Sequence, residues 1–153
     1  MSPILRCKEV DITTKRALFN TIFIPTLCYQ CQTWTLTAEE KRKITTTEMK
    51  CLRRMLGISI KDRIRNVDIR KRVGTTPVLN FIQKQQVKWF GHVTRLPTNS
   101  LPQMAMLHYH CGYKARGRPR KRWTNEITEA VNDTIFVAHT KACSRELLTT
   151  LTL

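Results

Sequence analysis

Six cations stand within ten residues at 114–123, Lys-Ala-Arg-Gly-Arg-Pro-Arg-Lys-Arg-Trp, and no anion stands among them. Guanidinium and ammonium groups at this density suit one kind of chemistry, the recognition of a polyanion, and nucleic acid is the obvious one. Gly117 and Pro119 both resist helix, so the run is expected to be open and extended. Lys114, Arg116, Gly117, Arg118, Pro119, Arg120, Lys121 and Arg122 are therefore candidate contacts. The same run also fits a solvated basic linker or a nuclear-import tag. A different chemistry is suggested by Cys28-x-x-Cys31, the spacing of a zinc pair, which His108, His110 or Cys111 would have to complete. No second pair repeats the spacing and Cys28 lies in an apolar stretch, so two buried or half-buried thiols are expected, with no metal site and no cofactor.

The core Arg116-Gly117-Arg118-Pro119 resembles an AT-hook, a short motif that lies in the minor groove of A·T-rich DNA. Glycine lets the backbone come close, proline biases it toward an extended path, and the flanking arginines follow the narrow, negative groove.

The whole chain shares this bias. Its 153 residues carry a net charge of +16, while 41% hydrophobic residues leave enough apolar material for a modest core. From residue 69 to 125 there is no Asp or Glu, whereas Arg70, Lys71, Arg72, Lys84, Lys88, Arg95 and the 114–122 cations all lie there. A solvated surface normally mixes signs, so this block points to a binding surface. Met1–Asp11 lacks the apolar stretch of a secretory signal, and no apolar run approaches the length of a membrane span. The six scattered cysteines are then expected as reduced thiols in an intracellular protein with no membrane partner.

The elements that must position these charges read as helices. Thr13 or Thr14 is placed to cap a helix from Lys15 that Pro25 interrupts or kinks. Thr26–Trp34 is apolar and ambiguous between buried helix and strand. Thr37 and Glu40 form a capping box for a helix carrying Ile44, Met49, Cys51, Leu52, Met55 and Leu56 inward, with Arg53 and Arg54 facing out and Gly57 as its stop. Asn66 is expected to cap a short helix over Val67–Val73. Thr76-Pro77 opens the strongest pattern, in which Val78, Phe81, Ile82, Gln85, Trp89, His92, Val93 and Leu96 recur on one side. Lys84, Lys88 and Arg95 fall on another side of that helix, and Pro97 closes it. A short helix is expected over Leu101–Leu107. Past the basic run, Thr124 is placed to cap a helix with Ile127, Ala130, Val131, Ile135 and Ala138, and Trp123 to pack at its start. Trp34, Gly57, Trp89, Phe90 and Trp123 are the expected structural anchors.

Several of these segments, in this order, resemble the C-terminal part of a LINE-type (non-LTR) retrotransposon endonuclease–reverse transcriptase. The carrying residues are Ile24-Pro25-Thr26-Leu27 with Tyr29, Thr33-Trp34-Thr35-Leu36-Thr37, and Glu48-Met49-Lys50-Cys51-Leu52-Arg53-Arg54-Met55-Leu56-Gly57. They continue with Asp62-Arg63-Ile64-Arg65-Asn66, Lys88-Trp89-Phe90-Gly91-His92-Val93, Arg95, and Arg116-Gly117-Arg118-Pro119-Arg120-Lys121-Arg122-Trp123, so that the likeness spans residues 8–135. Where the family usually has Tyr-Gly before an acidic residue and Trp, this chain has Tyr29-Gln30-Cys31-Gln32-Thr33-Trp34. The residues after 138 depart from the family pattern.

The resemblance implies the helical thumb and the basic region beyond it, and not the polymerase chemistry. That chemistry needs clustered carboxylates to hold two metal ions. The eleven acids here are spread singly, apart from Glu39-Glu40 in the capping box. The expected protein is a small all-α bundle of four to six helices with a basic, extended AT-hook-like loop and a loosely ordered tail. Its expected parts are a thumb-like region at 8–97, the basic loop and following helix at 98–138, and a divergent tail at 139–153. The expected function is non-catalytic binding of nucleic-acid backbone, RNA or DNA in a primer–template-like duplex, with the missing polymerase palm as a further partner and a nuclear location. The alternative is a domesticated AT-hook-like chromatin protein.

Overall fold

The computed structural model describes residues 2–7, 9–107, 116–117 and 120–144. Among these the chain is all-α, without a strand. The helices are α1 (Ser2–Arg6), α2 (Ile12–Leu18), α3 (Ile24–Leu27), α4 (Ala38–Leu56), α5 (Asn66–Val73), α6 (Val78–Thr94), α7 (Leu101–Leu107), α8 (Trp123–Val131) and α9 (Ile135–Cys143). Five of them reach eight residues, and the rest are one or two turns long. The packing divides into two units, residues 1–30 with 36–82, and residues 31–35 with 83–153.

In the first unit α4 packs against α1, α2 and α5. Its start follows from the sequence: the Thr37 amide donates to Glu40 Oε2 at 2.7 Å, and the Glu40 amide donates back to Thr37 Oγ1 at 3.3 Å. Its end does too. Gly57 takes the left-handed φ of 67°, and the Ile58 amide folds back onto the Arg53 carbonyl at 2.9 Å. Between them Met49, Cys51, Leu52 and Met55 are buried, with Phe19, Ile24, Ile69, Val73, Val78 and Ile82 also buried in this unit.

Two local expectations are corrected, and a third is given its form. Asp11, not Thr13 or Thr14, caps α2, because its carboxylate accepts both the amide and the hydroxyl of Thr13. Asn66 begins α5 rather than capping it, since its side-chain oxygen accepts from Arg53 Nη2 at 3.2 Å. The interruption at Pro25 is a π turn, Phe19–Phe23, in which the Ile24 amide reaches back to the Phe19 carbonyl. A widened turn just ahead of a proline eases the clash between its ring and the preceding turn. Gln30 has a φ of 58°, a conformation glycine adopts without strain.

Helix caps give this unit a pH dependence. Hydrogen bonds from the Thr37 amide and hydroxyl hold the Glu40 carboxyl below its usual range, and bonds from Thr13 do the same for Asp11. A carboxyl depressed by folding stabilises the fold above its unfolded pKa, about 4.3 for Glu, and the stabilisation is lost as pH falls through the folded value. The thermal midpoint is expected to drop on acidification below that range, and to drop less steeply in Glu40→Gln. Superimposable acid limbs for the two proteins would contradict the capping assignment.

The second unit is built on the later part of α6. Val87, Phe90, Ile127, Ala138 and Ala142 form its core, with Met106, Trp123, Ala130, Val131 and Ile135 packed around it. The expected continuous helix from 124 is two helices, because Asn132 adopts a left-handed φ of 55° and Thr134 caps a new start by accepting from the Val137 amide. α8 and α9 pack against each other.

Candidate nucleic-acid interface

The cations of α6 are presented by a helix whose opposite side is fixed. Lys84 and Lys88, four residues apart, are both exposed on the outer face, as expected. The inward stripe differs from the expected one. Gln86, Val87, Phe90, Val93 and Thr94 are buried, whereas Gln85 and Trp89 are half-buried and His92 is exposed. Phe90 takes the core place at 1% exposure, 6.2 Å from the ring of Trp123. Trp89 lies against His92 instead, with ring centres 5.3 Å apart.

Arg95 makes a contact that periodicity did not suggest. Its Nη1 donates to the Ala142 carbonyl at 2.9 Å, supporting the C-terminal end of α9, where open carbonyls and the helix dipole favour a cation. The guanidinium reaches it by lying along its own helix over Gly91, where a Cβ would stand 3.3 Å from Nη1. Part of the charge of Arg95 is thus engaged by the fold.

The basic run divides in a similar way. Lys114, Arg118 and Pro119 lie outside the described residues, as do His108, His110, Cys111 and the tail from 145. Arg116, Gly117, Arg120 and Arg122 are exposed. Gly117 has a φ of 127°, a backbone conformation that side-chain-bearing residues rarely adopt. Lys121 faces two carboxylates: its Nζ lies 2.8 Å from Glu126 Oε1 and 2.9 Å from Glu129 Oε1. Glu126 is only 2% exposed, so this pair fastens the run to α8. Trp123 fastens it again, donating from Nε1 to the Gln32 carbonyl at 2.8 Å. Trp34 serves the same unit through its backbone, accepting from Gln86 Nε2 at 2.8 Å.

Cys28 and Cys31 are both buried, and burial pushes the Cys31 thiol up, away from the thiolate a metal requires. Among the described residues no three His, Cys, Asp or Glu side chains come together as a metal site. Likewise, no helix among them is long and apolar enough to cross a membrane.

The chain is similar to a transposon-derived protein. That relative, an uncharacterized protein of Caenorhabditis elegans, is 26% identical over 129 residues, which cover 79% of this chain and 46% of the relative. The chain thus spans about half the length of the curated relative it matches. No family model matches the sequence, and no solved structure matches the fold. The aligned share of the chain is large enough to include most of the helices, so the likeness extends well beyond the basic run.

Proposed function

We propose that this chain is a thumb and post-thumb region of a LINE-type retrotransposon reverse transcriptase, which holds a nucleic-acid duplex by its phosphates and has no catalysis of its own. The observation that carries this reading is the separation of the cations into two sets. Arg53, Arg70 and Lys121 are engaged by carbonyls or carboxylates, and Arg95, though exposed, donates to the Ala142 carbonyl. Lys84, Lys88, Arg116 and Arg120 stand exposed, in a stretch with no acidic residue. Cations displayed on a helix face and at Arg116 and Arg120 suit backbone contacts, which position a duplex without reading its bases. The transposon origin of the relative supports the retrotransposon part of the proposal. The proposed partners are RNA, DNA or their hybrid in a primer–template-like duplex, together with a polymerase palm, in the nucleus.

A second reading, a domesticated AT-hook-like DNA-binding protein, is favoured by the unusual backbone of Gly117 beside exposed Arg116. The test of the first reading is titration of a labelled duplex at increasing salt. The observed association constant is expected to fall linearly on a log–log plot, by about 0.9 per phosphate neutralised. Primer extension by the chain alone is expected to be absent. A failure to bind duplex at low salt would end the proposal, and extension by the chain alone would overturn its non-catalytic part.

A further inference from the structure

The strongest unexplained feature lies in the first unit, in the loop between α4 and α5. Residues 58–65 form a loop with Ile58 and Ile64 half-buried and its turn, at Ile60, 76% exposed. Polar bonds hold it too. Arg53 reaches out from α4 and donates to the Ser59 carbonyl at 3.3 Å, the Ile64 carbonyl at 2.9 Å and Asn66 Oδ1 at 3.2 Å. A single turn over Ile60–Asp62 is closed by the Ser59 amide donating to Asp62 Oδ2 at 2.6 Å and the Lys61 amide donating to Ser59 Oγ at 3.1 Å. Asp62, the one acid of the loop, is thereby directed at backbone. Arg63 then takes a left-handed φ of 51°, a conformation costly for any residue but glycine. Lys61, Arg63 and Arg65, at alternate positions, are all exposed, and none of them is in an ion pair among the described residues.

We infer that this loop is a second phosphate-contacting surface, with Lys61, Arg63 and Arg65 as the contacts and Arg53 as the positioning residue. It rests on the proposal that the chain binds duplex, and adds a site in the other unit. Three cations on a loop fixed from behind can meet successive phosphates without first being ordered, which lowers the cost of binding.

Arg63→Gly separates the two roles, because it relieves the strain and removes the charge together. Its thermal midpoint is expected to rise while its affinity for a labelled duplex falls and its salt slope flattens by about 0.9. In the full chain, Lys61→Ala with Arg63→Ala and Arg65→Ala is expected to flatten the slope by up to about 2.7, at about 0.9 per contact. The pair Arg116→Ala and Arg120→Ala is measured alongside. A flatter slope for that pair with an unchanged slope for the loop variants would overturn the inference and leave the proposed function standing. Absence of salt-dependent binding by the unaltered chain would overturn both. A loss confined to phosphatidylserine vesicles, with duplex binding intact, would assign the loop to a lipid surface and overturn the inference as well.

Discussion

Replacing Glu48 by alanine is expected to cost about 3 kcal/mol of stability, the low end for breaking a buried ion pair by removing one partner. Glu48 sits on α4 with its side chain wholly buried, and Arg70 on α5 meets it with two parallel bonds, Nε to Oε1 and Nη2 to Oε2, both 2.9 Å. The bonds to Glu48 push the Arg70 guanidinium further up, so it stays charged at any accessible pH. Truncation of Glu48 would leave that charge beside a vacated, water-poor place with no counterion. Arg70 keeps 16% side-chain exposure, which limits the penalty. Arg70→Met leaves the carboxylate stranded instead and is expected to cost at least as much. Changing both, Glu48→Leu with Arg70→Met, removes both charges, and the double variant is expected to be clearly more stable than the sum of the single losses implies. Urea unfolding of the four proteins measures this. Additive losses would show that the pair does not act as a unit.

The second large effect concerns binding. Arg116→Ala with Arg120→Ala is expected to flatten the salt dependence of duplex binding by about 1.8 on the log–log plot, from about 0.9 per lost phosphate contact. Both residues are exposed, so the far-UV spectrum and thermal midpoint are expected to stay unchanged. A groove-binding role makes a further demand. The loss must be larger on A·T-rich duplex, where the groove is narrow and its negative potential deeper. The expected result is a clear salt effect with a weak base-composition preference, because one hook-like segment offers few groove contacts. Equal losses on both duplexes would leave a nonspecific electrostatic arm and remove the AT-hook alternative. An unchanged slope would move attention to Lys84 and Lys88.

What could be read from the residues was mostly what is local. The Thr37–Glu40 box, the Gly57 stop and the short α7 depend on neighbours a few positions apart, and all three stand where expected. The errors arose where a distant partner decided. Asn66 is a good cap in isolation, but Arg53, thirteen residues earlier, takes its oxygen. Trp89 has the greater apolar surface, yet Phe90 faces the core of the second unit and Gln86 is drawn inward by the Trp34 carbonyl. The pairing of Glu48 with Arg70 crosses 22 residues, and neither pattern nor spacing announces it. For the candidate site, the exposure of Lys84 and Lys88 was legible from helical periodicity. The ties of Arg95 and Lys121 were not, since a basic residue looks alike in sequence whether it faces solvent or a carbonyl.

The strap that Arg95 lays across Gly91 to the end of α9 has a consequence for how such a sequence ages. Gly91 leaves room for the guanidinium, where a Cβ would ask it to give by a few tenths of an ångström, and Arg95 closes the last turn of another helix. If only folding were selected in copies of this chain, Arg95 would be retained while Lys84 and Lys88 drifted to any polar residue. If the proposed duplex binding were selected as well, Lys84 and Lys88 would persist too. A set of related copies, sorted by whether the exposed lysines erode faster than Arg95, would therefore test the proposed binding separately from the fold.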